Sequence, residues 1–168
     1  FFKSHEQRIA DHRRLEKLKG VILHKVPGCR ISADQAYREA DLAIDYCEDI
    51  ERLPDRDIDK IVSLFESAGA QAQVSSIHVN GWFGDYNKLT MTRMMFEEVF
   101  GNRLEEIKDR VIFTGDSPND VPMFSYFINS VGVANVRQFE GKMDKYPTWI
   151  TTKEGGYGFA EMVNILLE

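Results

Sequence analysis

The segment Phe113–Asp120, which reads FTGDSPND, constrains the fold more than any other part of the chain. It begins inside a short apolar run, Arg110–Gly115, which is typical of a strand buried on both faces of a parallel sheet. Ser117 and Pro118 then match a helix start, because serine caps helices and proline is favoured at their first position. A buried strand that leads into a helix through a polar loop predicts an α/β fold with a parallel sheet.

The rest of the second half of the chain continues this alternation. After the run 110–115, residues 121–128 have helical character, and strand-like runs follow at 130–134 and 148–151. Two further helices are predicted from apolar stripes at helical spacing. The stripes consist of Thr92, Met95, Phe96, Val99 and Phe100, and of Phe159, Met162, Val163, Leu166 and Leu167. This order predicts a doubly wound, Rossmann-like sheet over residues 83–168.

The first half, residues 1–82, has a different pattern. A polar helix is predicted from His5 to Lys19 and is expected to end at Gly20. Alternating apolar residues predict strands over Asp41–Cys47 and Val74–Val79, with a helix around Ile58 and Phe65 between them. Alternating strands on one side of helices predict a small, open-faced α+β layer.

Composition excludes several classes of protein. The 168 residues carry a net charge of −6, so no basic excess is present for binding nucleic acid or an anionic membrane. No apolar run approaches the roughly 18 residues of a membrane span. Two cysteines, Cys29 and Cys47, are too few for a disulfide framework and lack metal-binding spacing. We therefore expect a cytoplasmic protein with reduced thiols.

The polar loop concentrates two carboxylates and an amide at the end of the predicted strand. Asp116, Asn119 and Asp120 lie where open α/β sheets bind ligands. Hard oxygen ligands of this kind suit Mg²⁺, which retains waters and bridges to phosphate. The alternative is simple helix capping, but capping needs one such side chain rather than three. The pattern favours a metal site.

These motifs resemble those of the haloacid dehalogenase-like phosphohydrolases. The resemblance rests on Gly115–Asp120, on Val131–Asn135, on Gly155–Phe159 and on the stretch Ile77–Lys88, and it covers the whole chain. The chain is most similar to the type IIB branch, which includes mannosyl-3-phosphoglycerate phosphatase and sucrose-phosphate phosphatase. The resemblance implies a cap domain over 1–82, with a short lead-in segment, and the C-terminal part of the core over 83–168.

The resemblance also implies roles for individual residues. Asp116 would bind Mg²⁺ directly, and Asp120 would hold the metal or its waters. Asn119 would contact phosphate or a metal-bound water. Lys88 would act as a catalytic point charge that neutralises phosphoryl oxygens, although a lysine with no such context is most often solvated. Leu89 departs from the family pattern, in which a small residue often follows the lysine.

Two polar residues of the predicted cap are weaker candidates for binding the leaving group of the substrate. His78 and Asn80 lie on the face of their strand opposite to Ile77 and Val79. A polar face on a partly buried layer can line a cleft. A lone histidine in a strand, however, is more often packed or solvated than functional.

The family's nucleophile loop has no clear counterpart in the chain. Members cleave phosphate monoesters through an aspartyl-phosphate formed on the first aspartate of a DxDxT loop that follows a buried strand. Asp55 and Asp57 have the right spacing but begin a helix, where acidic residues are favoured electrostatically. Asp45 lacks a second aspartate two residues later. We therefore expect the N-terminal half of the core, with the nucleophile, to lie outside these residues.

Three hypotheses follow. The first is the cap and C-terminal core of a Mg²⁺-dependent phosphatase that acts on a small phosphorylated sugar or sugar-acid, inactive without its missing part. The second is a non-catalytic binding or oligomerisation module derived from the same fold. Because half an α/β core leaves a sheet edge and an apolar face uncovered, we expect self-association or pairing with the missing N-terminal part. The third, a receiver-like signalling domain, is disfavoured because its acidic cluster would come from earlier strand ends.

Overall fold

The computed structural model describes residues 1–168 and divides them into two compact units, Phe1–Asp85 and Tyr86–Glu168. The sequence pattern predicts this boundary after residue 82. The helices are α1 His5–Lys25, α2 Asp55–Ser67, α3 Lys88–Phe100, α4 Leu104–Ile107, α5 Val121–Tyr126 and α6 Gly155–Leu167. The strands are β1 Arg30–Ile31, β2 Asp41–Asp45, β3 Gln71–Val74, β4 His78–Trp82, β5 Phe113–Gly115, β6 Ser130–Gly132 and β7 Trp149–Ile150. None of the helices combines the length and the apolar character needed to cross a membrane.

The first unit is a four-stranded antiparallel sheet in the order β1-β2-β4-β3, with α1 and α2 contributing to a common core with it. Ile44 of β2 lies opposite Val79 of β4, and both are fully buried against the helices. Phe65 of α2 packs so closely on β4 that a Cβ added to Gly81 would lie 2.1 Å from its ring. The predicted α+β layer is confirmed.

The first helix is longer than predicted, because it continues through Gly20 to Lys25. Leu15, Leu18 and Ile22 lie on one stripe of the continued helix and are all buried. Burial of Ile22 outweighs the cost of about 1 kcal/mol that a glycine carries inside a helix. The prediction that Gly20 ends the helix is wrong because the tertiary core, rather than local preference, decides where the helix ends.

The predicted strand Val74–Val79 is in fact the end of one strand, a turn and the start of another. β3 ends at Val74, and β4 begins at His78. The turn is closed by the backbone N–H of Ser75, which donates to the carbonyl of His78, and by the Ser75 hydroxyl, which accepts from the His78 N–H. Neither glycine nor proline marks this reversal, so the alternation of side chains concealed it.

The second unit contains three parallel strands in the order β5-β6-β7. Phe113 lies opposite Ser130 across β5 and β6, and its ring packs between Phe124 and Phe127 at centroid distances of 5.6 and 6.1 Å. The polar loop leaves β5 at its carboxyl end, as the sequence indicates. This parallel arrangement confirms the predicted α/β class.

The two apolar stripes that predicted α3 and α6 are only partly used inside the unit. Phe96 is partly buried in the core beside α5, and Met162 contacts Thr114 of β5. The other members of the stripes are largely exposed. Exposed positions include Met95, Val99 and Phe100 of α3 and Phe159, Leu166 and Leu167 of α6. Both helices form where the stripes predict them, but these residues are not buried in the core of the unit.

Candidate metal and phosphate site

The acidic loop, Gly115–Asp120, is folded around the side chain of Asp120. This carboxylate is 2% exposed. One of its oxygens, Oδ2, accepts hydrogen bonds from the backbone N–H groups of Asp116, at 2.9 Å, and Ser117, at 3.3 Å. A Cβ added to Gly115 would lie 2.5 Å from the same oxygen, so the loop needs glycine at this position. The backbone N–H groups of Asp116 and Ser117 therefore bind the Asp120 carboxylate and are not free to bind another anion.

Lys88 lies at the first position of α3 and reaches the acidic loop. Its Nζ is 2.5 Å from Asp120 Oδ1 and 3.1 Å from Asn119 Oδ1. The helix start is fixed by Asn87, whose side chain accepts from the N–H groups of Leu89 and Thr90. The lysine side chain is 50% exposed, so its ammonium combines a fixed position with access to solvent.

Three side-chain oxygens of the loop lie close together. The hydroxyl oxygen of Ser117 lies 3.0 Å from Asp116 Oδ1 and 3.1 Å from Asn119 Oδ1. Lys88 donates to the same Asn119 oxygen. A serine hydroxyl has a single proton, so it satisfies only one of its two neighbouring acceptors at a time. The site therefore has more acceptor capacity than donors.

This donor set fits a hard divalent cation. Carboxylate, amide and hydroxyl oxygens are the ligands that Mg²⁺ prefers, and Mg²⁺ is usually held by one or two carboxylates with several waters. Asp116 is only partly buried, and its contact with the Ser117 hydroxyl uses one of its two oxygens, Oδ1. Asp120, by contrast, already uses both oxygens within the protein.

The structure thus brings together four of the six residues singled out in the sequence. Lys88, Asn119 and Asp120 are in direct contact, and Asp116 joins them through Ser117. The sequence predicts only a helix cap at Ser117, because nothing in its spacing indicates that its hydroxyl contacts Asp116 and Asn119. The remaining two candidates, on β4, belong to the first unit.

His78 is buried and paired. It is 5% exposed, and its Nε2 lies 2.8 Å from a carboxylate oxygen of Glu48. Its side chain is on the same face of the sheet as that of Asp45, its partner in the register of β2 and β4. Direct contact of His78 with a ligand stays a prediction, and the present contacts are structural.

Asn80 lies on the same face of β4 and contacts an arginine that the sequence analysis missed. Arg38 reaches Asn80 Oδ1 at 3.3 Å and forms ion pairs of 2.7 Å with both Asp34 and Asp41. Arg38 comes from the segment between β1 and β2, and no motif marks it. Only the tertiary structure places a charged group over this face.

The carboxyl group of Asp34 should titrate at unusually low pH. Hydrogen bonds donated by Arg38 and by the Ser32 hydroxyl lower the pKa of Asp34 to about 2 from its ordinary 3.8. Because the folded-state pKa is the lower one, the ionised group stabilises the fold above pH about 4, and this contribution is lost as the pH falls through 2. A ¹³C NMR titration of the carboxyl group measures the midpoint.

The control for this titration is Arg38→Met, which removes the largest cause of the shift while keeping the aliphatic stem. The midpoint of Asp34 should then rise toward its ordinary value. A midpoint that is unchanged in the variant would contradict the assigned cause.

Asp45, which the sequence analysis set aside as a nucleophile candidate, has a local role. It is 1% exposed and accepts hydrogen bonds from the backbone N–H groups of Cys47, Glu48 and Asp49 at 2.7–3.0 Å. The carboxylates of Asp45, Glu48 and Asp49 lie within 4.8 Å of one another. These contacts explain the burial of Asp45 as the anchor of the turn after β2.

Comparison with solved structures identifies the architecture. The sucrose-phosphatase of Synechocystis sp., solved in complex with sucrose and phosphate, matches 89% of this chain with a TM-score of 0.60 and 14% identity. The α/β fold of this chain, with its antiparallel and its parallel sheet, matches part of the haloacid dehalogenase-like fold.

A second solved structure, protein 0175 of Thermoplasma acidophilum, matches 91% of this chain with a TM-score of 0.61 and 18% identity. The chain spans 61% of the length of each of these two proteins. Neither a known family model nor a curated protein sequence matches it. Comparison of tertiary structures thus detects a likeness in fold that the sequence comparisons do not.

Proposed function

We propose that this chain forms the cap and the metal-binding part of the core of a Mg²⁺-dependent phosphomonoesterase. The observation that carries the proposal is the contact of Lys88 with Asn119 and Asp120 beside a partly exposed Asp116. This arrangement joins a cation-binding carboxylate to a fixed ammonium at the carboxyl end of a parallel strand, where α/β sheets bind ligands.

Lys88 supplies a positive charge for the phosphoryl group. An ammonium has three N–H groups, and two of them donate to Asp120 and Asn119, which leaves one for a phosphoryl oxygen. Because its two protein partners fix its position before substrate arrives, little reorganisation is needed when negative charge develops. Asp120 holds both the lysine and the loop backbone.

Asp116 holds the divalent cation in this proposal, with Asn119 beside it to contact phosphate or a water. When bound, Mg²⁺ neutralises negative charge on phosphoryl oxygens. Asp116 is kept in place by the hydroxyl of Ser117 on one oxygen, and in this proposal its other oxygen binds the cation. The nucleophilic aspartate of the proposed aspartyl-phosphate mechanism comes from outside these 168 residues.

The proposed substrate is a small phosphorylated sugar or sugar-acid, with mannosyl-3-phosphoglycerate as one example. The likeness in fold to a sucrose-phosphatase supports this class. The polar face of β4, with Asn80 and His78, is proposed to contact the leaving group. The exposed apolar stripes of α3 and α6 support a further segment or a partner packing against the second unit.

The experiment that tests the function is a phosphatase assay of the complete gene product. We expect hydrolysis of p-nitrophenyl phosphate and of sugar phosphates in Mg²⁺, loss of activity with EDTA and recovery on adding Mg²⁺ back. The 168-residue chain alone should be inactive, since electrostatic stabilisation cannot replace the nucleophile. Hydrolysis that is insensitive to EDTA, or no hydrolysis of any phosphomonoester, would refute the proposal.

A further inference from the structure

Ser117 is the most buried polar side chain of the acidic loop, at 1% exposure. It follows directly on Asp116, and its side chain turns back into the loop. Its hydroxyl oxygen lies 3.0 Å from Asp116 Oδ1 and 3.1 Å from Asn119 Oδ1, and its backbone N–H donates to Asp120. Ser117 therefore contacts all three polar side chains of the loop.

The orientation of Asn119 shows that these contacts are specific. Lys88 donates to Asn119 Oδ1, so the amide must present its oxygen and not its nitrogen to the lysine. The same oxygen faces the Ser117 hydroxyl. The Ser117 hydroxyl thus lies between two acceptors, Asp116 Oδ1 and Asn119 Oδ1, and it has one proton to donate.

Helix capping does not require the hydroxyl proton of Ser117. A capping serine accepts a backbone N–H through an oxygen lone pair, and at the start of the turn Pro118–Asp120 the N–H of Asp120 donates to the backbone carbonyl of Ser117 at 2.9 Å. Its proton remains available for donation. A carboxylate is a stronger acceptor than an amide, so the proton favours Asp116.

We propose that Ser117 is a positioning residue, which fixes the carboxylate of Asp116 so that its free oxygen is presented to the cation. The inference rests on the proposed function, because it concerns how the loop binds a divalent ion. A carboxylate held by an outer hydrogen bond loses less rotational freedom when it binds a metal. Groups in this outer position typically change metal affinity by about 10- to 100-fold.

The test is direct measurement of Mn²⁺ binding to the complete gene product, from the electron paramagnetic resonance signal of the free ion. Ser117→Ala removes the hydroxyl, and Ser117→Cys keeps most of the volume with a much weaker donor. We expect both variants to bind Mn²⁺ about 10-fold more weakly than the unaltered protein. Competition with Mg²⁺ should show the same loss.

Ser130→Ala is the matched control. Ser130 is also fully buried in the second unit, and its hydroxyl accepts from the N–H of Thr148 at 3.1 Å. It lies at the amino end of β6, so its loss should lower stability without changing Mn²⁺ affinity. Thermal unfolding of the metal-free proteins measures how much stability each variant loses.

The outcomes separate this inference from the proposed function. If the unaltered protein binds Mn²⁺ and Ser117→Ala binds it equally well, the positioning role is refuted and the proposed function stands. Unaltered affinity in Ser117→Cys also refutes it, because packing would then explain the alanine variant. If the unaltered protein binds no Mn²⁺, both are refuted. If Ser130→Ala lost as much Mn²⁺ affinity as Ser117→Ala, the effect would be a general structural one, and the positioning role would be refuted.

Discussion

Asp116→Ala is expected to weaken Mn²⁺ binding by the complete gene product by about 100-fold or more and to abolish its phosphatase activity. The side chain is the only carboxylate of the acidic loop with an oxygen free to bind a cation, because both oxygens of Asp120 are used within the protein. Removing a direct ligand should cost at least as much as removing an outer hydrogen bond to it. Mn²⁺ titration and a phosphatase assay measure the two effects.

The stability of this variant should change little. Asp116 is partly exposed, and alanine removes an acceptor for the Ser117 hydroxyl rather than a buried anchor. Asp144→Ala, at an exposed aspartate of the same unit, is the control and should leave both binding and activity unchanged. If Asp116→Ala retained its affinity for Mn²⁺, the cation would bind at another site and the role of Asp116 would be refuted.

Asp120→Ala is expected to lower the free energy of unfolding of the second unit by about 3 kcal/mol. The change leaves the backbone N–H groups of Asp116 and Ser117 without their carboxylate acceptor, and hydrogen bonds to charged groups contribute about 1.5–3 kcal/mol each. Urea unfolding measures the loss, and hydrogen exchange of residues 113–126 locates it.

Lys88→Met removes the ion pair of Asp120 but keeps its hydrogen bonds to the backbone of the loop. The lysine is 50% exposed although Asp120 is buried, and this variant keeps both backbone contacts of Asp120, so it should lose less stability than Asp120→Ala. Its activity should nevertheless be lost in the complete gene product. If Lys88→Met lost as much stability as Asp120→Ala, the ion pair rather than the backbone contacts would anchor the loop.

The exposed stripes of α3 and α6 show what periodicity can and cannot predict. Spacing correctly placed both helices, because apolar residues at three and four positions apart lie on one face. It could not predict which element would cover that face. Val99 and Leu167 remain exposed because neither strand nor helix of this chain packs on them.

The acidic loop was predictable in position but only partly in arrangement. The sequence alone indicates a strand, a glycine and three polar side chains, since these follow from local preferences and from the apolar run before them. It also singled out Lys88, 28 residues before Asp116, through family resemblance. The distances that join Lys88 to Asp120 and Ser117 to Asp116 exist only after the chain has folded.

By itself, then, the sequence determined the α/β class, the polar loop at the end of a buried strand and the net charge of −6, because these depend on spacing and composition. The tertiary structure decided that α1 passes through Gly20, that Arg38 lies against Asn80 and that Asp120 anchors the loop. Each of these depends on contacts between residues distant in sequence or on which of several acceptors a donor reaches. Local preference cannot specify either of them.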